Sequence, residues 1–191
     1  MQLTLKTIDP FSDRTARDLR NSLSSALVRD LTAGGGEGVD SVADRWLAEA
    51  VAENYTQYVT ERRHRYAQVL EDIRSRGLRD ARLQAVMLWN AGLFFELHEL
   101  LETIWTSAPE PARTALKGWI QAAGACLHLE RGKPDAARGL ARRARGHLAA
   151  GAASLSFIAN LDDLIEALGR PGPFCLRLQI AAQPLSDPQG S

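Results

Sequence analysis

FFELHELLETIW, residues 94–105, sets one histidine and three glutamates among seven large apolar residues. The apolar positions do not alternate, which rules out a half-buried strand. At 100° per residue, Leu93, Leu97, Leu100, Leu101 and Ile104 gather on one helical face. Phe95, His98, Glu102 and Trp105 form a second stripe at spacings of three and four. Glu96, Glu99 and Thr103 run along a third side, which is expected to lie near solvent. A His98–Glu102 pair between two aromatics is expected to be at least half buried, where polar groups need partners.

The same period continues in the following segment, ALKGWIQAAGACLHLER, residues 115–131. Leu116, Trp119, Ile120, Ala123 and Leu127 make its apolar face. Lys117, Gln121, Gly124, His128 and Arg131 line the neighbouring edge, where Gly124 and Ala125 leave room for another helix. The pattern predicts that this edge faces the His98–Glu102 stripe.

Outward from this pair, Ala, Leu, Arg and Glu dominate and strand-type alternation is nearly absent, a helical composition. The predicted fold class is all-α, a helical bundle of about seven helices. A first helix is expected over 12–31, with Leu19, Leu23, Leu27 and Leu31 at i+4. The glycine-rich 33–38 reads as a flexible connection. A long second helix is expected over 41–76, opened by Ser41 and Asp44 as a capping box, bent near the charged 60–65 and stopped at Gly77. Helices over 82–90, 94–105, 112–131 and 134–149 follow, with stops at Gly92 and Gly132 and Pro134 in a first turn. Asn160 and Asp163 are expected to open a short last helix that ends at Gly169. The two helix–Gly–helix hairpins make the expected core over 80–169, with 1–79 as a helical extension. Residues 170–191 read as an extended tail in which 176–180 could form a short strand without an evident partner.

A hydrophobic content of 45%, a charged content of 24% and zero formal net charge describe an ordinary globular chain. They provide no global field toward nucleic acid or membrane. No apolar run approaches the roughly 18–20 residues of a membrane span, and the N-terminal stretch lacks a signal-peptide order. Cys126 and Cys175 are far apart, with no CxxC. Cys126, in an apolar helical run, is expected to be a buried free thiol, which fits a reduced, cytoplasmic setting.

Together the two segments resemble the prokaryotic family called domain of unknown function 309. That family has a Glu-x-His-Glu-x-x-Glu-x-x-Trp helix, then a Gly-x-Ile-Gln helix with a histidine before an Arg-Gly-Asn turn. The matching positions are Glu96, His98, Glu99, Glu102, Trp105, Gly118, Ile120, Gln121, His128, Arg131 and Gly132. Lys133 stands where Asn is usual. The resemblance spans roughly residues 80–168. It implies a compact all-helical fold and no particular activity.

Three chemistries compete for the polar stripe. A divalent metal could be held by His98 and Glu102 from one helix with His128 as a third ligand. HELLE lacks the second histidine of a HExxH zinc helix. Glu102, desolvated by Phe95 and Trp105, could act as an acid–base group with His98 as proton partner. The favoured reading is a polar network of Glu96, His98, Glu99, Glu102, Trp105, Gln121 and His128. It would line a groove that binds a protein partner or small ligand, with no cofactor required. On this reading the chain is a non-enzymatic module, and the alternative is a metal-assisted or acid–base hydrolase centred on His98, Glu102 and His128. Arg138, Arg142 and Arg145 share a face that reads as solvated rather than as a nucleic-acid patch. His64 is expected to be exposed, and His147 to cap helix carbonyls. Trp46, Trp89 and Trp119 sit at core spacing. The first helix is expected to pack on its own bundle or on a second copy of the chain.

Overall fold

The computed structural model of the chain describes residues 8–32, 38–49, 52–170 and 175–182. The expected glycine-rich connection lies almost wholly outside these, as do the N-terminal stretch 1–7 and both ends of the tail. Eight α-helices and no strand are found among the described residues, so the all-α expectation holds. The chain divides into two compact units, Met1–Arg79 and Asp80–Ser191.

In the first unit, α1 (Arg14–Leu31) starts where Asp13 accepts from Ala16 N–H. The four leucines at i+4 are all buried. α2 (Val39–Glu49) is tied to it by Trp46, whose indole N–H donates to Ser22 Oγ at 2.7 Å. α3 (Glu53–Ser75) is joined to the start of α1 by the Tyr55 hydroxyl, which donates to Asp13. That bond lowers the Asp13 pKa and raises that of Tyr55.

The expected long second helix is therefore two helices, and this split accounts for the eighth helix. Its start precedes Ser41, so Ser41 and Asp44 lie inside α2 and form no capping box. At 60–65, the site of the expected bend, α3 continues as one helix. Arg63 reaches to Asp40 and Asp44, both at 2.8 Å, and the buried face of α3 resumes beyond the charged stretch, from Val59 to Tyr66, Val69 and Ile73. His64 is exposed.

The second unit holds α4 (Ala81–Asn90), α5 (Phe94–Trp105), α6 (Ala112–Glu130), α7 (Pro134–Ala150) and α8 (Leu161–Ala167), with a 3-10 turn at Ala152–Leu155. Gly92 and Gly132 stop α4 and α6 in the same way, each with φ of 65°. The next N–H closes on a carbonyl five residues back: Leu93 on Leu88 at 2.9 Å and Lys133 on His128 at 2.8 Å. An L side chain at that φ is strained, and this explains why the two hairpins echo each other in sequence.

α6 occupies the middle of the unit. Trp119, Ala122, Ala123 and Ala125 are fully buried on it. The close helix approach is at Gly118 rather than at Gly124. A Cβ on Gly118 would lie 2.8 Å from Leu148 N and 2.9 Å from His147 Cβ of α7, whereas one on Gly124 would meet Leu140 at an ordinary 3.4 Å. Just beyond α7, a Cβ on Gly151 would lie 2.6 Å from that of Ala115. These contacts set the α6–α7 spacing.

Two expectations about the end of the chain are corrected. Asn160 does not cap α8 with its side chain. It bonds the backbone of 177 and 179 instead. The 176–180 segment does find a partner, an isolated antiparallel bridge between Ile158 and Ile180.

Overpacking at a tight helix crossing costs about 1–3 kcal/mol, so Gly118→Ala is expected to lower stability in urea unfolding by that amount. Gly146 on α7 has no neighbour within 4 Å of a built Cβ and is exposed. Gly146→Ala is expected to raise stability by about 0.5–1 kcal/mol, the ordinary helix-interior cost of glycine. Equal effects at the two positions would remove Gly118 from its spacing role.

Candidate functional site

Helix α5 has no side-chain cap, and its apolar face fixes its rotation: Phe94, Leu97, Leu100 and Leu101 are buried. This leaves the Phe95–His98–Glu102–Trp105 stripe at the edge of the core. His98 keeps 31% of its side chain exposed, Glu99 35% and Glu102 50%. The His98–Glu102 pair is thus at least half buried, as expected, and Glu102, with half of its side chain in solvent, is only partly desolvated.

His98 lies between two carboxylates. Its Nδ1 is 3.2 Å from Glu99 Oε1, and its Nε2 is 3.5 Å from Glu102 Oε1. The Phe95 ring stacks parallel to the imidazole, with centroids 6.4 Å apart and planes within 7°. The first distance is a hydrogen bond, while the second is long for one. Glu99, placed with solvent-side residues on the helical wheel, is thus a direct partner of His98. Glu96 departs from expectation in the other direction, being 1% exposed. A wheel gives an angle but not which neighbouring helix covers it, and Glu96 is only one step round from the buried Leu100.

The predicted network separates into pieces. Gln121 Oε1 pairs with His147 Nδ1 of α7 at 2.8 Å, so this edge of α6 faces α7 rather than the α5 stripe. His147 consequently does not cap carbonyls. His128 Nδ1 and the indole nitrogens of Trp105 and Trp119 are buried without a hydrogen-bond partner. His128 Nδ1 thus takes no part in the expected polar network.

Among the described residues, the side chains that could share a cation are His98, Glu99 and Glu102, with ligand atoms within 4.8 Å of one another. His128 is not in the group. A divalent ion about 2.0–2.2 Å from nitrogen and oxygen ligands suits the Nε2–Glu102 spacing. Glu99 on Nδ1 would then fix the ring's tautomer, as carboxylates beside metal-binding histidines do.

Cys126 is not a free thiol. It is fully buried, as expected, but forms a disulfide with Cys175, with a Cα–Cα distance of 6.3 Å. Two cysteines 49 residues apart carry no spacing signal for pairing, and only the path of the tail brings them together.

Burial, followed by the charges of Arg131 and Lys133, lowers the His128 pKa. The unfolded chain then binds more protons than the folded one below the ordinary histidine value of about 6.5. Stability contributed by the neutral ring is present above that pH and is lost as pH falls toward the depressed folded value. Urea midpoints measured between pH 7 and pH 5 should fall more steeply for the native protein than for His128→Gln. Parallel slopes would show that His128 is not the group responsible.

No curated protein and no solved structure matches the chain. Residues 83–140, from inside α4 to the first half of α7, match the family model described as Domain of unknown function (DUF309). The matched segment carries the His98 stripe, the Gly92 and Gly132 stops and the α6 edge, and in these it is similar to the DUF309 family.

Proposed function

We propose that the second unit is a non-enzymatic binding module whose recognition edge is the outer stripe of α5, and that it takes a cationic group from a protein partner or small ligand. One observation carries this reading: His98 is held between Glu99 and Glu102 on an edge open to solvent. Two carboxylates beside one imidazole make a local negative site in a chain of zero net charge. Phe95 and Trp105 flank it with flat ring surfaces of the kind that favour ammonium and guanidinium groups.

The hydrolase alternative lacks support from the same geometry. General acid–base work needs a proton-transfer group tuned by its surroundings. Glu102 is half in solvent, Gln121 is engaged with His147, and His128 stands outside the group.

A resident divalent metal is the second reading, and the Glu99–His98–Glu102 alignment favours it. The two readings separate in one preparation. Protein purified without a His-tag, and its His98→Ala variant, are taken for elemental analysis. Both are then titrated by NMR with an arginine-rich peptide. The module reading expects no stoichiometric metal. It also expects the Trp105 indole and His98 ring signals to shift together, with affinity about tenfold weaker (about 1.4 kcal/mol) in Glu99→Gln/Glu102→Gln. Stoichiometric metal that disappears in His98→Ala would replace it with the metal reading.

A further inference from the structure

Residues 175–182 cross the second unit as an extended strap. Its exposure has a period of two: Cys175, Arg177 and Gln179 are exposed, Leu176 and Ile180 are half-buried, and Leu178 is buried. This is the pattern of a strand, yet no sheet receives it. Two asparagine side chains serve as the missing neighbour. Asn90 takes both backbone groups of Leu178, donating from Nδ2 to its carbonyl at 2.8 Å and accepting its N–H at 2.7 Å. Asn160 brackets the same residue, donating to Arg177 O at 3.0 Å and accepting from Gln179 N–H at 2.8 Å. Trp89 adds its indole N–H to Leu176 O at 2.7 Å. Ala159 N–H donates to Gln179 O and Ala181 N–H to Phe157 O. Besides the main chain itself, the covalent cross-link is the disulfide from exposed Cys175 to fully buried Cys126 of α6.

We propose that this disulfide is a redox latch: oxidised, it holds the strap closed on Asn90 and Asn160, and its reduction by a dithiol lets the strap leave. The balance of forces points this way. Each strap hydrogen bond replaces one to water and contributes little net. Ordering the strap costs backbone entropy at each of its residues, and Leu178 is the one buried side chain, with Leu176 and Ile180 half-buried, to offset it. A covalent anchor at the first residue removes most of the search that closure would otherwise require.

The chemistry balances with the dithiol as sole co-reactant. Its thiolate attacks Sγ of Cys175, the sulfur on the exposed residue, and the Cys126 sulfur leaves with the electron pair and takes up a proton. The second thiol of the reductant then attacks the mixed disulfide and releases the Cys175 thiolate. The reductant ends as a cyclic disulfide, and the protein, reduced by two electrons, ends with two thiols. In a reducing compartment the strap is open, and an oxidant closes it. Opening uncovers Trp89, which is 2% exposed when the strap is in place.

Amide hydrogen exchange tests the latch on the full chain in three states: air-oxidised, reduced with dithiothreitol, and Cys175→Ser. Alkylation of the air-oxidised protein should find no free thiol. On reduction and in Cys175→Ser, the Leu178, Gln179, Ala181 and Ala159 amides should exchange at least about tenfold faster, while the Ala122 and Ala123 amides of α6 keep their protection. Three results would overturn the proposal. The first is unchanged strap protection in both the reduced and variant proteins, which makes the bond a redundant staple. The second is loss of α6 protection together with the strap, which makes it a support of the core. The third is two free thiols in air-oxidised protein whose strap amides are still protected.

Discussion

The second unit depends on how closely α6 and α7 approach at Gly118. A backbone nitrogen of α7 sits where a side chain would begin on α6, so only glycine permits this spacing. Alanines are buried on both helices, Ala115, Ala122 and Ala125 on α6 and Ala137, Ala141 and Ala144 on α7. The close crossing also brings His147 within reach of Gln121. That bond takes the Gln121 amide for helix docking and removes it from any site on α5.

With α6 turned toward α7, the chemistry of α5 is left to α5 itself. His98, Glu99 and Glu102 come from little more than one turn of a single helix, so their geometry does not depend on a second element moving into place. Such a group is well ordered but open, suited to meeting a ligand at an edge rather than enclosing one. The buried Glu96 one turn away belongs to the packing, although it is a glutamate of the same motif.

The strap shows the same economy by other means. Asparagine offers a donor and an acceptor at the spacing of a peptide group, so Asn90 and Asn160 can substitute for a neighbouring strand in an all-helical unit. A tail held this way is ordered without enlarging the hydrophobic core, and the single disulfide ties it to a fully buried cysteine of α6.

The sequence by itself determined the helical class, the stops at Gly77, Gly92 and Gly132, and the stripe that joins His98 to Glu102. These follow from backbone conformations and the 3.6-residue period, which are local and therefore legible. Matching residues also placed the 80–168 region beside the family that residues 83–140 match. Tertiary structure decided what each edge meets: Gln121 with His147, Glu99 with His98, Glu96 inside, Asn160 on the tail and Cys126 with Cys175. A helical period gives the direction of a side chain, but its partner depends on where other helices and a distant tail are placed. That placement is set by close approaches such as Gly118 to Leu148, between residues 30 positions apart.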